Sequence, residues 1–443
     1  EKIAKAINLI DITNYSIKHI KKVIDDIKID IAIDLKGFTK NSRPEIFYNR
    51  IAPVQINYLG HPGTLGPNHC DYIIGDKIVI PENLKPKDLR FGSGPSKIRA
   101  TQLAALVAAN PSYLGTSHRQ KTVRDVVKSL REGLAKLFNL PEGYEVVIGN
   151  GGTTAFWDAA IFSLIKESGQ FLSFGEFSNK FAEAAKNTPF LKEVEIIKSE
   201  PGDAPDYKPN SKFDVYATAH NETSTGVMKE VKRPSGEALH LIDATSAAGG
   251  AMVDPKEFDV YYFGPQKSFG SDGGLFVALM SPAAIKRIEE IKKTNRWQPP
   301  FLDLTIALEN SRLQQTYNTP ALATIHMFEN QVSWFNENGG LKWSSNKSKT
   351  SSDFLYHWAE SRDFAKPFVE KKHLRSSVVA TIDFVDSIDA LQISAILRAN
   401  GIVDTDSYRK IGKNQIRIGV FPSVELSDVE ALTNCIDFIV EKL

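Results

Sequence analysis

The sequence predicts an α/β protein, with one large, doubly wound, mostly parallel sheet and a smaller α+β unit after it. Three observations carry this expectation. The runs "YEVVIGN", "FDVYATAH", "LHLIDA" and "FDVYYF" are short and β-rich, and each ends in a polar or glycine-bearing loop. Helical patterns alternate with them: "KTVRDVVKSLREGLAKLF" sets Val123, Val127, Leu130, Leu134 and Leu137 on one face. Strands alternating with helices argue for parallel pairing. Finally, 443 residues are too many for one core, since domains run to about 100–200 residues.

The elements follow in order. Residues 1–82 form one α/β piece. In it "IDIAIDLKGFT" is a short strand from Ile29 to Leu35, and "APVQINYLGHPGTLGPNHCDYIIGDKIVIPE" holds two more strand-like runs between Gly and Pro turns. The stretch "NLKPKDLRFGSGPSK" is polar and Pro/Gly-rich, which places a boundary near residue 83. Residues 83–340 form the large domain. "SSNKSKTSSD" reads as a polar linker, and residues 341–443 then form the small unit. That unit contains "SSVVATIDFV", a helix from about Ser387, "NQIRIGVFP" and a closing helix from Ser427.

Composition excludes several classes. Apolar residues make up 42% and charged ones 24% of the chain, as in ordinary globular domains. The net charge of +1 gives no reason to invoke nucleic acid or an anionic membrane. Cys70 and Cys435 lie far apart with no metal-ligand spacing, so no metal is expected and a reducing compartment is. No apolar run approaches the ~18 residues of a membrane span, and "EKIAKAINLI" lacks a signal-peptide pattern. A cytoplasmic location is expected. With no initiator Met, the chain reads as a piece of a longer reading frame.

The chemistry gathers at strand ends, where open α/β sheets bind ligands. "HLIDATS" puts Asp243 at the end of one strand, "VYYFGPQK" puts Lys267 just past the next, and "YATAHNETSTG" puts Asn221 and Thr223 past a third. A lysine that forms a Schiff base, beside an aspartate that pairs with a protonated ring nitrogen, suggests pyridoxal phosphate. Glycine-rich surroundings leave room for the ring. The plain alternative is a solvated loop lysine and a turn aspartate. "IGNGGTTAF" offers strand, glycines and then Thr153 and Thr154 opening a helix, whose free N–H groups bind anions. It lacks the third glycine of a dinucleotide fingerprint; a tight turn without a ligand is the alternative.

"RFGSGPSK", "GTSHRQ", "GNGGTTAFWDAA", "AHNETSTG", "IDATSAAGG", "YYFGPQKSFGSDGG", "QTYNTPALAT" and "LRANGIVDTDSYRKIGKNQIRIGVFP" occur in this order. Together they resemble the phosphoserine aminotransferases, of the class-V branch of fold-type-I pyridoxal-phosphate aminotransferases, over about residues 85–443. The resemblance implies that Lys267 is the Schiff-base lysine and proton-moving base. It makes Asp243 the partner of the pyridinium, Thr223 a contact to the cofactor's 3-oxygen, and Phe177 the aromatic ring over the cofactor. Gly152, Thr153 and Gln266 take the phosphate, with Thr153 standing where some members have arginine. Asn318 and Thr319 reach the phosphate from the other subunit, which implies a homodimer with shared sites. Arg417 grips the α-carboxylate. His118 and Arg119 meet the substrate phosphate, and so does Arg409, beside Tyr408 where other branches carry histidine. His220 and His326 are expected to be structural.

The implied reaction is transfer of the amino group of glutamate to 3-phosphohydroxypyruvate in serine biosynthesis, with a side activity in pyridoxine biosynthesis left open. The alternative within the fold is a class-V relative such as a serine– or alanine–glyoxylate aminotransferase. Residues 1–82 resemble part of the catalytic region of O-linked N-acetylglucosamine transferases. Without the half that holds the nucleotide sugar, no transferase activity is expected. A sugar-nucleotide-binding role is the competing reading, with His61 its tempting base. A fusion of two reading frames, by genome rearrangement or by faulty assembly of the sequence, explains the join at "IVIPENLKPKDLRF" better than a working bifunctional enzyme.

Overall fold

The computed structural model describes residues 10–36, 42–58, 69–74 and 78–443; His61 lies outside them. Backbone contacts divide the chain into two compact units. One is Glu1–Glu82 with Ile396–Gly401 and Lys442; the other is Asn83–Ala395 with Ile402–Glu441 and Leu443.

In the first unit the helix Ile17–Ile27 starts at Ser16, whose hydroxyl accepts from His19 N at 3.3 Å. It buries Ile20 and Ile24 against Ile46 of the short helix Glu45–Tyr48. Strands β1 (Ile31–Asp34), β2 (Val54–Tyr58) and β3 (Tyr72–Ile74) pair in parallel in that order. The pleat turns Ala32, Asp34, Gln55 and Asn57 inward, while Ile31 and Ile33 stand half exposed. Two of the inward polar groups bond to His69: Gln55 Nε2 donates to its carbonyl at 2.6 Å, and Asp34 Oδ2 lies 3.2 Å from its Nε2.

In the second unit the strands run β4 (Glu145–Asn150), β5 (Ser168–Ser173), β6 (Glu193–Lys198), β7 (Val215–Ala219), the hairpin β8 (Asn221–Glu222) and β9 (Val227–Met228), β10 (Leu239–Asp243), β11 (Val260–Phe263) and β12 (Leu275–Met280). Among the described residues β8 pairs only with β9, and the other seven of these nine strands form one sheet in the order β4-β12-β11-β10-β7-β5-β6. All neighbours are parallel except the two pairs that β12 makes.

Helices cover both faces of this sheet, so successive strand residues enter different cores. Val260 and Tyr262 pack with the helices Gly152–Ser163 and Pro282–Lys292. Tyr261 and Phe263 pack with Lys121–Leu137 and Leu322–Glu337. The five apolar positions expected on the first of these helices are all buried.

A small antiparallel sheet follows, β13 (Ala365–Pro367), β14 (Val379–Phe384) and β15 (Gln415–Gly419), with helices at Ala390–Ala399 and Leu426–Lys442.

One sequence reading needs correction. "SSNKSKTSSD" is no linker but lies within the helix Gly340–Glu360, which buries Ser344, Ser345, Ser348, Ser351 and Ser352. Several of these hydroxyls bond back to carbonyls three residues earlier: Ser344 to Leu341, Ser345 to Lys342 and Ser352 to Lys349. A serine so satisfied is buried at little cost and lets neighbours approach closely. Past residue 83, the polar stretch "NLKPKDLRFGSGPSK" also packs into the second unit. Phe91 is wholly buried there, and Gly94 comes against Lys267.

Candidate active site

Strands β7, β10 and β11 are adjacent and parallel, so Thr223, Asp243 and Lys267 arrive at one edge. The loop carrying Lys267 is tied down carbonyl by carbonyl. Pro265 O accepts from Ser271 N at 3.1 Å and Gln266 O from Ser96 N at 2.9 Å. Lys267 O accepts from Ser96 Oγ, and Ser268 O from Gln331 Nε2 at 3.2 Å. The Phe269 and Gly270 carbonyls share Gln102 Nε2, at 3.2 and 3.0 Å. With the backbone fixed, the Lys267 amine points inward and donates to Thr223 Oγ1 at 2.6 Å.

Gly94 makes room for it. A Cβ there would lie 2.7 Å from Lys267 Cε, and its φ of +130° is one that side-chain-bearing residues avoid. Burial pushes the Lys267 ammonium down to about 8, with the nearby Arg417 adding to the fall and Asp243 opposing it.

Asp243 is fixed through both oxygens: Oδ2 accepts from Trp157 Nε1 at 3.0 Å and Oδ1 from Thr245 N at 2.9 Å. Trp157 lies on the helix Gly152–Ser163, which starts after Gly151 at φ +103°. Gly151 N is held by Gly274 O at 2.9 Å. The first turn of that helix presents Thr153 and Thr154 to the site. Phe177 comes from the first turn of the helix Glu176–Lys186, its ring 5.6 Å from the Lys267 amine. Arg417, on β15, donates to Thr223 O at 3.1 Å, and its guanidinium lies 5.4 Å from the Tyr408 ring.

These residues line one cavity of about 300 Å³: Lys267, Asp243, Thr223, Phe177, Thr153, Gln266 and Arg417 from the predicted set, with Asn221 and Tyr408. Asn221 Oδ1, Thr245 Oγ1, Ser93 Oγ and Arg417 Nε are buried here and make no hydrogen bond within the protein. Buried polar atoms normally have partners. Four such atoms around an amine, a carboxylate and a helix N-terminus fit a compact, polar, anionic ring compound. Pyridoxal phosphate is of that kind.

The other predicted residues do not line this cavity. His118 is buried with Nδ1 3.3 Å from Thr319 Oγ1, and Asn150 Nδ2 donates to Thr319 O at 3.4 Å. Arg119, Asn318, Thr319 and Arg409 are exposed. Gly152 opens its helix one residue before Thr153. His220 is buried, 3.0 Å from the Tyr261 hydroxyl and held by burial at about 4; His326 packs edge-on against Tyr113. Trp157, Thr245, Ser93 and Gly94 were not singled out from sequence. Trp157 sits in an apolar run that reads as core, and only its indole N–H, which seeks a partner when buried, hinted otherwise.

Comparison with known proteins accounts for both parts of the chain. The profile of glycosyl transferase family 41 matches residues 1–88, and that of the class-V aminotransferases matches residues 98–405. The phosphoserine aminotransferase of Rhodococcus jostii strain RHA1 is 56% identical over 367 residues, which are 82% of this chain and 98% of that one. The crystal structure of a phosphoserine aminotransferase from Cytophaga hutchinsonii superposes with a TM-score of 0.74 at 23% identity, covering 80% of this chain and 99% of that one. A pyridoxal-phosphate-bound phosphoserine aminotransferase from Trichomonas vaginalis gives 0.70 at 18%, over 79% and 100%. The fold is that of fold-type-I aminotransferases, and the chain belongs to the class-V aminotransferases, within the phosphoserine aminotransferase family.

Proposed function

We propose that residues 83–443 transfer the amino group of L-glutamate to 3-phosphohydroxypyruvate, giving O-phospho-L-serine and 2-oxoglutarate in a route to serine. The enzyme is a pyridoxal-phosphate-dependent transaminase. The observation that carries the site assignment is the buried Lys267 amine, beside Thr223 and one strand from Asp243.

When bound, the cofactor supplies an aldehyde for amino groups and a ring that accommodates the electron pair left when a Cα proton departs. The residues do the rest. Asp243, oriented by Trp157, holds the ring nitrogen. Thr153 and Thr154 meet the phosphate with the N–H groups of a helix N-terminus. Lys267, poised near neutrality, would take the proton from the substrate Cα and deliver it to the cofactor's aldehyde-derived carbon in the same half-reaction, and would move a proton the opposite way in the second. Arg417 receives the α-carboxylate as a planar fork.

His118, Arg119, Asn318 and Thr319 lie outside the cavity, and this supports a homodimer in which they complete the partner's site. The helix Ala100–Ala109 supports it too, for it is apolar around its girth and leaves Leu103 and Val107 exposed at 47% and 74%. A second copy is the occupant of that face, and light scattering at micromolar concentration should give twice the 49.1 kDa chain mass. Among the described residues no helix is long and apolar enough to cross a membrane. Nothing catalytic is assigned to residues 1–82, and fusion of two reading frames is the origin we favour for them.

Rates with phosphorylated and plain hydroxypyruvate test the substrate. Equal kcat/KM for the two would move the enzyme to another class-V specificity, such as that of serine– or alanine–glyoxylate aminotransferases. Borohydride reduction of the holoenzyme should fix the cofactor to Lys267; label at any other lysine refutes the assignment.

A further inference from the structure

The helix that carries Phe177 into the cavity has no cap of its own. Gly175 occupies the capping position and brings no side chain. The leading N–H groups of a helix need acceptors, and here another segment provides them. Glu222, fully buried on the β8–β9 hairpin, accepts from Phe177 N at 3.3 Å and Ser178 N at 2.9 Å. It also accepts from Ser178 Oγ at 2.9 Å, Ser224 Oγ at 2.8 Å and Ser224 N at 3.3 Å. Ser224 Oγ in turn accepts from Glu176 N at 3.0 Å.

A Cβ on residue 175 would lie 2.1 Å from Glu222 Cγ, so the glycine is what admits the carboxylate. Every contact to the carboxylate is a donor. An ionised carboxylate only accepts, and it suits the positive end of a helix. Thr223, the next residue, holds the Lys267 amine. One dipeptide therefore sets both the amine and the aromatic wall facing it.

We infer that Glu222 is a positioning residue: it fixes the Phe177 ring against the cofactor by capping the helix Glu176–Lys186 from outside. This rests on the cofactor site proposed above. Glu222→Gln keeps the shape but turns an NH2 group toward donors on one side of the carboxyl.

The test is visible circular dichroism of the holoenzyme together with pyridoxal phosphate titration. In Glu222→Gln the induced ellipticity should fall and the cofactor Kd should rise about tenfold, as for a buried acceptor lost. In a Phe177→Leu background the same substitution should change neither signal further. An unaltered spectrum and Kd in Glu222→Gln overturn the proposal. So does an equal effect with and without the ring, which would mean that the charge acts directly on Lys267 or Arg417. If Glu222→Gln fails to fold, Ser224→Ala removes one donor to the carboxylate and the acceptor of Glu176 N; it should shift the ellipticity the same way by less, again only when Phe177 is present, and no shift overturns the idea. A parent enzyme with no visible band would sink the cofactor site itself, a result distinct from these.

Discussion

In β11 every residue is buried, Val260 and Tyr262 toward one core and Tyr261 and Phe263 toward the other. In β1 and β2 the buried positions are Ala32, Asp34, Gln55 and Asn57, and the isoleucines Ile31 and Ile33 face solvent. The two sheets share parallel pairing but not the force that holds them. The larger one is a packing problem solved on both faces. The smaller one turns hydrogen-bonded polar groups inward, and the buried isoleucines of its unit, Ile20, Ile24 and Ile46, lie on the flanking helices. The larger sheet is the one whose adjacent strand ends bring an amine and a carboxylate to one cavity.

Mutations should separate the two regions by cost. Phe263→Ala should lose about 3–5 kcal/mol in denaturant unfolding, because the facing aromatic residues cannot collapse into the gap. A loss below about 1 kcal/mol would mean that the larger sheet is not governed by packing. Arg417→Ala, in the site this sheet supports, should lower kcat/KM for glutamate about a hundredfold, the worth of a charge-assisted bidentate contact. Gly94→Ala should cost roughly tenfold in kcat/KM through strain and displacement of Lys267, with little change in melting temperature.

Lysine burial predicts a pH signature. The folded value of about 8 lies below the ordinary 10.5, so the unfolded chain binds more protons between these values. The cost of burial is fully present below about pH 8 and fades as pH rises toward 10.5. Cofactor-free Lys267→Met should therefore melt higher than the parent below pH 8, with the gap closing above it. The smallest effect belongs to the other sheet: Ile33→Ser should change stability by no more than about 0.5 kcal/mol while reducing binding of a hydrophobic dye.

What the sequence revealed follows the same divide. Thr223, Asp243 and Lys267 were legible because each closes a short apolar strand, and parallel order alone brings such ends together. The helix Lys121–Leu137 was legible from its stripe. Glu222, Trp157 and Gly94 were not, for their roles arise from contacts across 44, 86 and 173 positions that no local pattern encodes. The serine-rich helix was missed because its inward face is small and self-bonded, which leaves no apolar period to read.

The six consecutive carbonyls from Pro265 to Gly270 all have donors, drawn from Ser271, Ser96, Gln331 and Gln102. An engineer seeking a new amino acceptor should therefore leave that segment alone, since any insertion there would break several anchors at once. Directed evolution has more freedom around Tyr408, a half-buried residue of the cavity lining, where exchanges leave the anchors of the reacting nitrogen untouched.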